Sequence, residues 1–484
     1  MHWWMLTALA VPCLIGVAVQ RVIGFRMAND PAGYFGRILP IGFLVLAVVL
    51  FLLMAMGIAV NNLVAPYLIF GASVAMLFIP RQIKESKSVT AHNRWTWLAI
   101  TILIVGAIGI IDNGASKWRT PVHADDDASI WTLKAKVLHR AGQFDRALGE
   151  ELRTRPSLHH QDYPLFNPLI QVWMLSTSSG QAEGALRIPT MLWALSLLLL
   201  LYSACRRHTS APIAAMIALM VVSAGTFQQA TTGTKSDVIV IVGLLGFMDF
   251  AWRCHRDPTF RNICAMALFA GVLVWSKNEG LMLILAASIG LATTRLWTRA
   301  FLFRKAALLL LIPCLIVTGQ VAFNRQFDLR NDLLTGGEGK DSRPVHRSLI
   351  ENTPEKLPTI ASTFLEIGTG LRVGDERERL PMDRMTVLLR SNGIFLLAIF
   401  LLLLFPKHLL SGPVRAVTLC AGLSAAGFAV VYIISFEPLL WHLSTSAPRV
   451  LFHLSGPIAL IIATAAGHIH TSLFPVTSDT QVDS

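Results

Sequence analysis

Thirteen apolar runs divide this chain, at roughly 5–23, 37–58, 62–80, 96–112, 187–204, 211–227, 235–252, 262–276, 279–295, 302–323, 392–406, 416–436 and 448–468. Apolar runs of about 17–25 residues match the hydrocarbon thickness of a bilayer when helical. Inside lipid, backbone N–H and C=O groups must be satisfied within the segment, which leaves a helical bundle as the main solution. Composition agrees: 14% of the 484 residues are charged and 54% are hydrophobic, whereas a soluble domain carries roughly a quarter charged residues. An all-α polytopic membrane protein of about thirteen transmembrane helices is therefore expected. No Lys or Arg precedes the first run and no small-residue cleavage site follows it, so it reads as a retained helix.

A net charge of +12 invites a nucleic-acid reading, but its distribution argues against one. Basic residues gather in alternate short loops, at Arg21, Arg26 and Arg37; Arg81, Lys84, Lys87 and Arg94; Arg206 and Arg207; Arg253, Arg256 and Arg261; Arg295, Arg299, Arg304 and Lys305; and Lys407 and Arg415. The short loops between them hold little beyond Lys235, Lys277 and Arg449. Positive residues favour the cytoplasmic side. That places the N-terminus outside, the C-terminus in the cytoplasm, and the long polar loops 113–186 and 324–391 outside, with the turns 231–236, 276–280 and 437–447. All six cysteines fall in apolar runs or cytoplasmic loops, so neither a disulfide framework nor a CxxC metal spacing is indicated.

The first long loop carries His123-Ala124-Asp125-Asp126-Asp127-Ala128-Ser129-Ile130-Trp131 and then His159-His160-Gln161-Asp162-Tyr163-Pro164. Carboxylates beside lipid are costly and usually have a task. Asp127 to Ala141 reads as an amphipathic helix, with Ile130, Leu133, Lys134, Val137, Leu138 and Ala141 at helical spacing and Asp126 or Asp127 able to cap it. Trp131 and the Lys134/Lys136 pair suit an element lying along the headgroup boundary. A second apolar piece covers Tyr163–Leu175, and loop 324–391 has a flexible point at Gly336-Gly337-Glu338-Gly339.

Four constellations carry chemistry, each against a plainer reading. The triplet Asp125-Asp126-Asp127 can accept the proton of a hydroxyl nucleophile, or simply cap a helix. Asp162 is a second site carboxylate and, with His160, a candidate pair for a divalent cation; two histidines and an aspartate in a polar loop are more often just solvated. Lys277 and Glu279, in Trp275-Ser276-Lys277-Asn278-Glu279-Gly280, can meet a phosphate and a hydroxyl, or form a pair within a tight hairpin. Asp237 begins a helix, where the dipole welcomes it without any function. Arg449, in Trp441-His442-Leu443-Ser444-Thr445-Ser446-Ala447-Pro448-Arg449, stands on the outer side against the basic bias and suits a phosphate, with His442 as a further donor. Headgroup snorkelling would explain Arg449 but not the whole cluster.

These residues resemble a known family. Asp126-Asp127-Ala128-Ser129-Ile130-Trp131-Thr132-Leu133-Lys134-Ala135-Lys136 is similar to the "D-A-x-x-I-W-x-L-K-A-K" stretch of bacterial GT-C glycosyltransferases of the protein-mannosyltransferase and aminoarabinose-transferase-like superfamily. His160-Gln161-Asp162-Tyr163-Pro164-Leu165 looks like their "H-P-D-Y-P-L", and Lys277-Asn278-Glu279-Gly280 and Trp441 to Arg449 also match stretches of the group. The resemblance covers about 97–470 and departs from the pattern at Asp127, Ala128 and Gln161. It implies a GT-C-like bundle whose outer loops carry amphipathic helices, transferring a sugar from a polyprenyl-phosphate donor, usually with inversion, at the outer face of a bacterial inner membrane. Asp126 would be the base, with Asp127 beside it and Asp162 as second acid. Lys277, His442 and Arg449 would hold the donor phosphate, supported by Glu279, Asp237, His160 and Tyr163. A divalent cation, Mg or Mn, held by Asp162 and His160 is compatible with this scheme but not required by it.

The implied organisation is 1–95 as accessory transmembrane helices, 96–323 as a catalytic core containing loop 113–186, 324–391 as a long outer loop, 392–470 as C-terminal helices and 471–484 as a short cytoplasmic tail. Expected partners are the lipid-linked donor, a lipid or glycan acceptor of the cell envelope and membrane lipids, with no nucleic acid. The closest alternative is a lipid-linked glycan ligase or polymerase. A lipid-linked sugar transporter or flippase is the alternative of a different class; it would need ionisable groups near the midplane, where the apolar runs carry almost none.

Overall fold

The computed structural model describes residues 3–62, 64–76, 95–117, 122, 127–155, 157–178, 183–294, 305–329, 345–369, 393–435 and 437–473. Within them the chain is helical, with no strand. Seven helices are long and apolar enough to cross a membrane: Met5–Ile23, Pro31–Ala55, Thr96–Ser116, Glu183–Cys205, Asp237–Arg256, Gly412–Ile434 and Ser455–Leu473. An eighth span arises if Ala211–Val222 and Gly225–Thr232, bent by 64°, count as one, and three shorter apolar helices accompany them. The protein is an all-α polytopic membrane protein, in which several of the thirteen expected runs are short or broken helices.

The elements that position the polar residues are α1 (Trp3–Ile23), α2 (Pro31–Ala55), α3 (Val64–Met76), α4 (Trp95–Ser116), α5 (Leu133–Ala141), α6 (Arg146–Thr154), α7 (Phe166–Thr177), α8 (Ile188–Cys205), α9 (Ala211–Val222), α10 (Gly225–Thr232), α11 (Asp237–Arg256), α12 (Phe260–Ser276), α13 (Glu279–Ala292), α14 (Lys305–Gln326), α15 (Val345–Thr369), α16 (Gly393–Leu404), α17 (Gly412–Ile434), α18 (Leu439–Phe452) and α19 (Ser455–Leu473). α11 is the axis of the bundle, with seventeen of its twenty residues buried. It packs on α12, α8 and α19.

α1 and α2 belong to this bundle. They cross so closely that a Cβ on Gly16 or Gly42 would collide with the opposing backbone at Ile38 or Pro12, the small-residue contact by which helices associate where no hydrophobic drive exists. α2 packs along α8, and Trp173 Nε1 of α7 donates to Ala8 O of α1 at 2.9 Å. The loop after α2 touches the segment that follows α5, Val60 N donating to Gly142 O at 3.0 Å.

The amphipathic segment forms as expected, through a six-residue π-helical turn at Asp127–Thr132 followed by α5. It ends at Gly142, whose φ of 73° is the left-handed geometry glycine adopts without penalty. Its placement corrects the sequence reading. Trp131 and Lys134 are buried at 2% and 1% exposure, not spread on a headgroup layer. Lys134 Nζ donates to the carbonyls of His160, Gln161 and Tyr163 at 3.2, 2.9 and 3.0 Å. Lys136 faces outward and pairs with Glu183. Helical spacing identified an apolar face, but could not say that a turn of carbonyls would replace lipid as the partner of Lys134.

Candidate active site

Segments far apart in sequence meet at one end of the bundle. Asp127 reaches the turn between α10 and α11: its Oδ1 accepts from Thr234 N at 2.5 Å and from Thr234 Oγ1 at 3.1 Å. Lys235 Nζ stands 3.8 Å from Oδ2. The approach is close enough that a Cβ on Gly233 would lie 2.5 Å from both carboxylate oxygens. Asn167 of α7 holds the same turn by donating to Thr234 O at 2.7 Å. Asp125 and Asp126 lie outside the described residues.

Three residues beyond Thr234, Asp237 opens α11 at the centre of an ionic cluster. Its Oδ1 receives Lys277 Nζ at 3.2 Å and His453 Nε2 at 2.9 Å, while Arg449 Nη1 stands 3.9 Å from Oδ2. Lys277 also pairs with Glu279 at 3.4 Å. Burial opposes the charge of Lys277 most strongly, but Asp237 and Glu279 outweigh it and hold its pKa above the ordinary 10.5. Lys277 is therefore a cation across the physiological range. Asp237 Oδ2, Glu279 Oε2 and His453 Nδ1 are buried and make no hydrogen bond among the described residues. Arg449 and Glu279 keep 23% and 18% of their side chains exposed and form the open side of the cluster.

Asp162 is joined to the cluster through the neighbour of Lys277. Asn278 Nδ2 donates to Asp162 Oδ2 at 2.7 Å, and Asn324 of α14 donates to Asp162 O at 3.1 Å. His160, with φ 48°, lays its ring on Tyr163 at 4.7 Å, and Tyr163 packs on Trp131 at 5.6 Å. His442 packs edge-on against Tyr432 at 4.8 Å. Burial pushes the His442 imidazole below its ordinary pKa, so at neutral pH it is a neutral donor or acceptor and not a cation.

The structure thus brings Asp237, Lys277, Glu279 and Arg449 into one cluster, places Asp162 beside it and Asp127 one turn away. His160, Tyr163 and His442 make ring contacts, His160 on Tyr163, Tyr163 on Trp131 and His442 on Tyr432. The Asp162/His160 pair does not fit a cation site: Asp162 Oδ2 is taken by an amide, the His160 ring is stacked, and no group of three His, Cys, Asp or Glu converges among the described residues. His453 was missed. Its only sequence signal was an ionisable side chain inside an apolar run, which tends to face the bundle interior.

Residues 162–321 match the family model for dolichyl-phosphate-mannose-protein mannosyltransferases. That segment is a third of the chain and contains Asp162, Asp237, Lys277 and Glu279. Among solved structures, the chain is similar to ArnT from Cupriavidus metallidurans bound to undecaprenyl phosphate, with 17% identity and a TM-score of 0.45. The match covers 77% of this chain and 60% of that one. No curated protein matches the chain.

Proposed function

We propose that this protein is an integral-membrane glycosyltransferase that moves a sugar from a polyprenyl-phosphate donor to an acceptor of the cell envelope, at the outer face of a bacterial inner membrane. The family match over residues 162–321 carries this reading, because the matched segment supplies three members of the polar cluster and the Asp162 beside it. The donor phosphate would sit against Lys277 and Arg449, which meet its charge as it leaves. The acceptor hydroxyl would attack the anomeric carbon in a single displacement. As the new C–O bond forms, the bond to the phosphate oxygen breaks, the hydroxyl proton passes to Asp126, and the sugar inverts. Asp127, bound by Thr234, would anchor the loop that presents its neighbour. Asp162, bound by Asn278, would order the edge of the donor site.

The transporter alternative finds a buried carboxylate inside a span, Asp249 of α11. Both of its oxygens are taken by Arg207 at 2.6 Å, so it offers no group to a passing ligand. The test is to compare the envelope glycolipids of a strain lacking the gene with those of its parent by mass spectrometry. A missing sugar increment, restored by the wild type and not by Asp126→Asn, is the expected result. Unchanged glycolipids would overturn the proposal.

A further inference from the structure

His453 lies in the two-residue break between α18 and α19 and is fully buried. α19 is pressed onto α11 just beyond it: a Cβ on Gly456 would lie 2.9 Å from that of Leu245. This contact brings the imidazole under the first turn of α11. Asp237 Oδ1 can only accept, so Nε2 carries the proton and Nδ1 is left as a buried acceptor without a donor among the described residues. The groups that face the ring are Asp237, Lys277, Glu279 and, 6.1 Å away, the ring of Phe428. Two donors, His453 and Lys277, thus seize one oxygen of Asp237 and turn the other toward Arg449.

We infer that His453 is a positioning residue of the site: through Nε2–H it fixes the Asp237 carboxylate in the orientation on which Lys277 and Arg449 converge. The inference rests on the proposed reading of those two cations as the seat of the donor phosphate. Without the imidazole, Asp237 can rotate about its side-chain bonds, and the spacing between ammonium and guanidinium is no longer held. The headgroup would lose affinity while the lipid tail would not.

The test measures binding of undecaprenyl phosphate and of undecaprenol to the full chain purified in detergent. Undecaprenol shares the tail and lacks the phosphate. His453→Phe is expected to weaken undecaprenyl phosphate about tenfold, the loss of roughly one charge-assisted hydrogen bond, and to leave undecaprenol unchanged. His453→Gln, which keeps an N–H of similar reach, is expected to stay within about threefold of the wild type. Should His453→Phe not fold, His453→Asn takes its place with the same expected loss, because its amide is too short to reach. Wild-type affinity in the His453→Phe variant or in the His453→Asn variant that replaces it, equal loss for both lipids, or no rescue by His453→Gln would overturn the inference. A wild type that prefers neither lipid would instead overturn the phosphate-seat reading.

Discussion

α11 carries a buried aspartate near each end, Asp237 and Asp249, twelve residues apart and so about 18 Å along the axis. Around Asp249 both carboxylate oxygens are hydrogen-bonded. Arg207 Nη2 holds both oxygens at 2.6 Å, Arg253 Nε adds a bond at 3.0 Å, and Arg253 lies over the Phe250 ring at 4.4 Å. Asp30, the cap of α2, accepts from Ser203 at 2.9 Å and pairs with Arg37, Arg207 and Arg253 at 3.4 Å. Burial works against the charge of Asp30, yet these arginines together hold its carboxyl below the usual range. Around Asp237, by contrast, one oxygen is doubly bonded and the other makes no hydrogen bond among the described residues. A satisfied buried network fixes one packing, whereas an unsatisfied one holds polar capacity for something else. The end at Asp249 fastens α2, α8 and α11 together; the end at Asp237 keeps one carboxylate oxygen without a hydrogen bond among the described residues, beside the partly exposed Arg449.

The comparison is open to direct attack. The largest effect is expected at the proposed base, where Asp126→Asn should lower transfer by about a thousandfold, within the range of general-base catalysis. Its thermal midpoint should match the wild type, and transfer above a tenth of normal would remove Asp126 as the base. At the fastening end, Asp249→Asn should cost about 3–5 kcal/mol by leaving buried arginines uncompensated. A thermal unfolding series in detergent should show that loss, and a midpoint equal to the wild type would erase the contrast between the two ends. Arg449→Ala should raise KM for the donor about ten- to a hundredfold, the reach of one charged contact, with stability little changed because the side chain is partly exposed. A fall in kcat alone would place Arg449 elsewhere in the reaction.

Two smaller effects sharpen the picture. The folded pKa of Lys277 is raised, so its stabilising pairings are fully present below the ordinary 10.5 and are lost only as pH rises beyond it. The gap in thermal midpoint between wild type and Lys277→Met should therefore stay flat at neutral and mildly alkaline pH; a gap closing below about pH 9 would contradict it. At the surface, Glu183→Gln should change stability by less than about 1 kcal/mol, because the Lys136 pair is roughly two-fifths exposed on both sides.

The sequence made the site legible where residue type and position sufficed. Asp237, Lys277, Glu279 and Arg449 stand at ends of apolar runs and Asp127 and Asp162 in the loop between two of them, so a bundle that crosses a membrane must bring them to one of two faces. What stayed hidden needed a third dimension. Arg37 and Arg253 read as loop cations, yet Arg37 is 1% exposed and lies over Phe25 at 4.4 Å. Lys134 read as a headgroup contact because nothing in its helix shows that the turn at His160–Tyr163 comes back over it. The contacts of α1 and α2 were equally silent, since the glycines that allow them look like any others in an apolar run.

The partners of Asp237 also set an order of events during synthesis. Lys277 follows the aspartate by 40 residues, so α11 can enter the bilayer with its charge neutralised almost as soon as the next hairpin emerges. The imidazole that fixes the carboxylate comes 216 residues after it, close to the end of the chain. A nascent protein halted between Lys277 and His453 would hold a compensated but unaligned carboxylate.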